Sequence, residues 1–240
     1  DAAAFHGADP QGFFVKEIAG QPVAAISVVN HSTDFAFLGL YLCRPEYRGQ
    51  GFGMEIWRAG LAHAGARCVG LDGVPEQQAN YVRSGFTKSG RTIRFQGSLP
   101  KNSVEHVQPA KPSDISALIK ADALATGITR PAFSQHWFSN TDTRQTSLVF
   151  AGPRIVACAT TRACVDGVKV GPLHAETAEQ VLDLLCTAPR ESADSAITVD
   201  VPESCSALVE VLEGQGFACT QKHPQRRRNH LCTQLQPWSL

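Results

Sequence analysis

The sequence predicts an α/β fold, an α+β mixed sheet with covering helices, built twice in tandem within 240 residues. Three observations predict it. Apolar runs of strand length alternate with stretches carrying a helical apolar stripe. The order of these elements and two of their short strings return about 128 residues later. The length falls between one large domain and two small ones, which leaves room for a duplication.

Taken in order, residues 12–18, 22–29 and 35–43 read as three strands. Gly20 and the polar Asn30–Asp34 turn separate them, so the simplest arrangement is an antiparallel meander. A helix follows from about Gln50 to Ala64, where Met54, Trp57, Leu61 and Ala64 recur on one face. Cys68–Leu71 makes a short buried strand. A second helix opens at Pro75, a good first-turn residue, and stops at Gly85, a good residue after a helix end. Thr92–Gly97 is the last strand of this half.

The second half repeats the order. Asp200-Val-Pro-Glu203 echoes Asp72-Gly-Val-Pro-Glu76, Gly216-Phe217 echoes Gly85-Phe86, and Pro172 falls 127 residues after Pro45. The expected domains are 1–98 and 103–240, with 99–112 as a Pro-rich linker running into the start of the second. That second copy begins with a strand near Ser103–Val107 and a helix over Asp114–Ala125. Residues 1–8 correspond only to the chain beyond that helix, so the first copy is expected to lack its opening strand and helix, about 25 residues. The only methionine is Met54, so the sequence is expected to be a fragment or a processed product.

Composition narrows the partners. Before residue 100 there are nine basic and eight acidic residues, and after it 13 and 14, so neither half has the basic excess of a nucleic-acid binder. The longest strongly apolar run, Phe35–Cys43, is far shorter than the ~20 residues of a membrane helix. Eight scattered cysteines without a CxxC pair argue against structural zinc and a disulfide framework, and point to mostly buried free thiols in a reducing cytoplasm. No metal site, nucleic-acid partner or membrane partner is expected, and the sequence is silent on oligomeric state.

Arg48-Gly49-Gln50-Gly51-Phe52-Gly53 lies between a strand and a helix. Glycines there leave backbone N–H groups bare at the positive end of the helix, which suits a pyrophosphate, and Arg48 adds a charged contact. A ligand-free glycine-rich turn is the plain alternative. A Walker loop is excluded because no Gly-Lys-Ser/Thr comes after the glycines. A dinucleotide fingerprint would need Gly or Ala at Met54 and a tighter strand-to-glycine turn than Arg44–Arg48 allows.

The stretch LeuTyrLeuCysArgProGluTyrArgGlyGlnGlyPheGly (40–53) resembles the GNAT superfamily of acyl-CoA-dependent N-acyltransferases, whose signature is Arg/Gln-x-x-Gly-x-Gly/Ala after a strand and a proline-containing turn. AlaAsnTyrValArgSerGlyPhe (79–86) is similar to the family's later helix, with a tyrosine five positions before the phenylalanine of a Gly-Phe pair. The resemblance covers residues 1–98 by motif and the second half by topology, as in tandem GNAT-like pairs of bacterial proteins. It implies two tandem GNAT-like domains and acetyl-CoA as cosubstrate, with no metal. Tyr41, Leu42 and Cys43 would hold the pantetheine arm and the acyl carbonyl through strand backbone groups. Arg48, Gly49, Gln50, Gly51, Phe52 and Gly53 would wrap the pyrophosphate, and Asn80 would touch the pantetheine or face solvent. Tyr81 would protonate the departing thiolate, a transfer that a thiol near 8.5 and a phenol near 10 permit. Read alone, Tyr81 is equally a packing residue. Asp72, at the end of the strand that should splay from Leu40–Cys43, is the choice for general base, with a plain turn aspartate as the alternative. His31, Asp34 and His63 are weaker candidates, and Cys43 is strand filler rather than a nucleophile.

Laying Pro172 on Pro45 places Ala175, Glu176, Ala178 and Gln180 at Arg48, Gly49, Gly51 and Gly53, so the second copy has no phosphate loop. Thr177 and Gln180 can form a capping box there, and Leu212 stands at the tyrosine position. This half would complete the fold or shape an acceptor pocket. Arg226–Arg228 reads as part of a terminal hairpin. The expected activity is transfer of an acetyl group to a primary amine of a small molecule by direct attack in a ternary complex. A non-catalytic acyl-CoA-binding regulatory module is the alternative, with a dinucleotide-dependent oxidoreductase behind both.

Overall fold

The computed structural model describes residues 2–74 and 77–228. Pro75, His230 and Cys232 lie outside the described residues. The first half holds α1 (Ala2–Ala8), β1 (Phe13–Ile18), β2 (Gln21–Asn30), β3 (Phe35–Cys43), α2 (Phe52–Ala64), β4 (Cys68–Asp72), α3 (Gln78–Arg83) and β5 (Thr87–Gly97). The second holds β6 (Val107–Pro109), α4 (Ile115–Thr126), α5 (Pro131–Phe138), β7 (Arg144–Ala151), β8 (Arg154–Ala163), β9 (Val168–Ala175), α6 (Ala178–Thr187), β10 (Ile197–Pro202), α7 (Ser206–Gly214) and β11 (Ala218–Arg228).

The described chain divides into two compact units, one of residues 2–89, 129–136 and 224–228, the other of 90–128 and 137–223. In the first unit β1, β2 and β3 form the expected antiparallel meander, and β4 joins β3 in parallel. The outer side of β4 pairs with the end of β11, Gln225 opposite Asp72 and Arg228 opposite Val69. Arg226–Arg228 therefore lies in a strand that gives β4 a partner for its outer backbone groups, and the rest of the expected terminal hairpin falls outside the described residues. The apolar stripe of α2 packs Ile56 and Trp57 on Ile26, Val28, Leu38 and Leu71 of this sheet.

In the second unit β6, β7, β8 and β9 run antiparallel in sequence, β10 joins β9 in parallel, and β5 pairs antiparallel with β10 over Thr92–Gly97. Val181, Leu184 and Leu185 of α6 and Leu208 and Leu212 of α7 cover Val170, Leu173, Val199 and Val201.

The two units share details that a common origin explains. Phe86 N–H donates to Tyr81 O and Phe217 N–H donates to Leu212 O, both at 3.0 Å, so α3 and α7 end in the same backbone turn. In each unit the parallel pairing stops early, after Leu38 opposite Leu71 and after Val170 opposite Val199. Beyond those pairs the strands part, at Gly39-Leu40 in one case and Gly171-Pro172 in the other.

That register corrects the overlay of Pro172 on Pro45. Pro172 lies inside β9, in the place Leu40 holds in β3, and Ala175 ends its strand as Cys43 does. Eight residues, 44–51, join β3 to α2, whereas only Glu176 and Thr177 join β9 to α6. The phosphate loop of the second copy is shortened away rather than substituted. Of the described cysteines, Cys43, Cys158, Cys164, Cys186, Cys205 and Cys219 are free, as expected. Cys68 is disulfide-bonded, and Cys164 and Cys219 are exposed, against the expectation of buried free thiols. Among the described residues no helix is long and apolar enough to cross a membrane.

Candidate functional site

The site of the first unit grows from the parting of β3 and β4. Past Leu38 the β3 backbone turns through Leu40, whose φ of 50° lies in the left-handed region, and opens a gap toward β4. Leu40 and Leu42 are exposed there, 51% and 63%, which is unusual for strand leucines and leaves an apolar wall without a partner among the described residues.

The loop after β3 supplies the polar end. Gly49 and Gly51 adopt φ of 76° and 90°, a conformation that disfavours side chains, and a β-carbon on either would meet no atom within 4 Å. Gly51 caps α2 without a side-chain hydrogen bond. Among the described residues, the amides of Gly49, Gln50, Gly51, Phe52 and Gly53 find no acceptor, whereas Met54 and Glu55 N–H already reach Gly51 O. The result is an open cradle of donors at the positive end of a 13-residue helix. Arg48 Nε donates to Cys43 O at 3.1 Å and ties the loop to the strand end, and Gln50 Nε2 donates to Glu46 O at 3.0 Å. These residues fit a pyrophosphate: space, bare donors and a neighbouring cation converge.

An aromatic cluster fills the space between the strand gap and the helices. The Trp57 ring stacks on Tyr81 at 6.0 Å and 23°, meets Tyr41 edge-on at 5.2 Å, and meets Phe86 at 5.8 Å. Burial raises the Tyr41 phenol above its ordinary pKa, with Cys43 and Tyr81 adding to the rise. Gly73 is required beside Tyr81, because a β-carbon there would stand 2.5 Å from the tyrosine ring.

Tyr41, Cys43, the 48–53 loop, Asp72 and Tyr81 thus gather around one gap. Asp72 is exposed and comes directly after the last β3–β4 pair, with Gly73 linking it to the Tyr81 ring. Asn80 is also exposed, and its side chain bonds Gln77 and Arg83 of its own helix region. The weaker candidates lie elsewhere. His31 is buried against Phe35 and Phe133, and Asp34 accepts from Ser32 Oγ in the turn before β3. His63 bonds Asp9 at 2.7 Å in the last turn of α2, about 16 Å along the helix from its first turn. Trp57 was legible only as a stripe residue. Its position one turn past the glycine loop is the signal that could have marked it.

In the second unit, Thr177 Oγ1 accepts from Gln180 N–H while Gln180 Oε1 accepts from Thr177 N–H, the capping box expected from the sequence. Glu176 pairs with Arg154 beside it. The cap satisfies the Gln180 N–H, and carboxylates rather than a free cation crowd the helix start. Among the described residues no group of three or more His, Cys, Asp or Glu side chains could hold a metal ion.

Comparisons with known proteins bear on the family and the fold. A model described as "Acetyltransferase (GNAT) family" matches residues 1–86, and one described as "Acetyltransferase (GNAT) domain" matches 118–231, so the second half carries sequence similarity as well as topology. A holothin acyltransferase of Pseudoalteromonas sp. (strain SANK 73390) is 31% identical over 221 residues, covering 90% of this chain and 74% of that one. Among solved structures, a candidate acetyltransferase from Pyrococcus horikoshii superposes with a TM-score of 0.81 at 16% identity, covering 99% of this chain and 80% of that one. A tandem GNAT protein from the clavulanic acid biosynthesis pathway superposes at 0.61 and 12% identity, covering 90% and 83%. The chain is an acyltransferase belonging to the GNAT family, with two GNAT domains in tandem.

Proposed function

We propose that the first unit takes acetyl-CoA as acyl donor and passes the acetyl group to a primary amine of a small molecule. The observation that carries this reading is the cradle at 49–53: bare amides facing open space at the end of the strand gap where exposed Leu40 and Leu42 offer an apolar track. Acetyl-CoA supplies an activated thioester. The chain supplies placement and proton handling.

The amides of Gly49–Gly53 and the Arg48 guanidinium hold the pyrophosphate by charge-assisted hydrogen bonds. The β3 backbone over Tyr41–Cys43 seats the pantetheine along the gap, and Asn80 faces the same arm from α3. Tyr81 Oη donates its proton to the leaving sulfur, and Trp57 stacked on its ring fixes where that hydroxyl sits. Asp72, at the mouth of the gap, accepts the amine proton directly or through water. The second unit does not hold acyl-CoA in this manner, because its connecting loop is two residues long and its helix is capped by Thr177 and Gln180. The named activity of the Pseudoalteromonas relative, acylation of holothin, supports a small-molecule acceptor. Six free thiols among the described residues, against one disulfide-bonded cysteine, support a cytoplasmic setting.

Calorimetric titration with acetyl-CoA tests the donor, and a screen of amines and amino acids for free-thiol release tests the acceptor. Binding and turnover are expected, with Tyr81→Phe lowering kcat more than it changes the acetyl-CoA Kd. Absence of acetyl-CoA binding by the wild type sinks the proposal. Tight binding with no turnover on any amine would return the regulatory-module alternative.

A further inference from the structure

A cavity of about 110 Å³ lies in the second unit where β9 and β10 part, lined mostly by apolar groups, among them Val170, Pro172, Val181 and Leu208, with Cys205 and the carboxylate Asp200 at its wall. This is comparable in scale with the ~150 Å³ apolar cavities that admit a benzene ring. The corresponding place in the first unit lies between the β3–β4 gap and helices α2 and α3. There the Trp57 indole is buried, 5% exposed, against Tyr41, Tyr81 and Phe86. No residue of comparable size stands on α6, whose core-facing positions are Val181, Leu184 and Leu185.

We propose that Trp57 sets the length of acyl group the enzyme accepts, by occupying the space behind the strand gap that a longer chain would enter. The inference rests on the acetyl-CoA reading above. If Tyr81 protonates the sulfur, the sulfur sits within hydrogen-bond reach of the Tyr81 hydroxyl and the acyl carbon one bond further. The ring stacked on Tyr81 is then the first wall a growing acyl chain meets. Trp57 lies on a helix interior and is held by three aromatic neighbours, so it cannot swing aside without emptying the cluster. Replacing the indole by a smaller group opens room beside the gap, as the second unit retains in its own. Trp57 is therefore a specificity residue toward the donor, with no proton to give or take.

The test uses the full chain and two readouts. Calorimetric Kd values for acetyl-CoA and hexanoyl-CoA are measured for wild type, Trp57→Phe and Trp57→Leu, alongside free-thiol release with the best amine. Wild type is expected to bind hexanoyl-CoA at least about tenfold more weakly than acetyl-CoA. Trp57→Leu should bring the two within about threefold, with Trp57→Phe between them, and the thiol-release ratios should follow. Far-UV circular dichroism and Tm confirm folding, and Trp57→Phe keeps a ring in the cluster should Trp57→Leu fail to fold. Equal binding of both thioesters by wild type, or a ratio unchanged in a folded variant, overturns the role of Trp57 and leaves the acetyl-CoA reading standing. Wild type that binds neither thioester overturns both.

Discussion

The Tyr41 hydroxyl lies 2.6 Å from the point where a β-carbon on Gly53 would stand. A strand residue and the first turn of a helix are thus fitted at one contact, and the cradle inherits its shape from it. The third glycine of the loop is there for the tyrosine, whereas Gly49 and Gly51 are there for the backbone.

Gly53→Ala should therefore push the Tyr41 ring off Trp57, its edge-on partner at 5.2 Å, while leaving the sheet intact. The expected outcome is a changed near-ultraviolet circular dichroism spectrum, a Tm within a few degrees of wild type, and an acetyl-CoA Kd raised about tenfold, or about 1.4 kcal/mol. An unchanged spectrum with unchanged affinity would separate Gly53 from the site.

Arg48 ties the start of the loop to the strand end, through Nε on Cys43 O. Arg48→Ala should weaken acetyl-CoA by roughly 10- to 100-fold and flatten the salt dependence of binding, because a screened charge contact has gone. Arg48→Lys keeps the charge without the guanidinium fork and should recover only part of the loss. Titrations at low and high salt read both effects.

Thr177→Ala removes a side chain that caps α6. Stability should fall by about 1 kcal/mol in urea denaturation, in line with the loss of a cap. The acetyl-CoA Kd should stay within error, since the second unit plays no part in the cradle. A shifted Kd would contradict the assignment of binding to the first unit.

Asp200 ties β9, β10 and β5 together through Lys169 and through Arg94, whose Nε and second guanidinium nitrogen lie 2.7 and 2.9 Å from its two oxygens. Burial would raise its pKa, but the hydrogen bonds from Arg94 and Lys169 outweigh burial and hold it below its ordinary value. A lowered carboxyl pKa stabilises the fold above the unfolded value near 3.9 and ceases to do so as pH falls through the folded value. Asp200→Asn should cost roughly 1–3 kcal/mol at pH 7, and the difference from wild type should close as pH drops below about 4. Denaturation midpoints at pH 7, 5 and 3 measure it.

Local chemistry made much of this legible. The meander, the α2 helix and the Thr177–Gln180 box depend on neighbours within a few positions, so period and capping residues announced them, although Met54 of the expected stripe is exposed and Ile56 is buried in its stead. The glycine loop was legible because bare amides need residues without side chains in one short run. Pro172 misled because proline marks turns, yet this proline lies within β9 where the parallel pairing has already ended, a place that asks nothing of its missing N–H from β10. The exchange that pairs β5 with β10 and the end of β11 with β4 left no local trace, since strand partners far apart in sequence are chosen by edges and not by residue type. Trp57 was hidden by its own hydrophobicity: a stripe shows which face is buried, not what the buried ring shapes.

The pairing of Gln225–Arg228 with β4 has a consequence for how the molecule is made. During synthesis the first half emerges with one border of its sheet raw, and the segment that seals it is translated about 150 residues later. A recombinant piece stopped in the Pro-rich connector would carry that raw border permanently, and its sticky hydrogen-bonding row would invite a second copy to stand in for the missing strand. Dissecting this enzyme into halves at the bench should yield aggregates or swapped dimers rather than a working monomeric half.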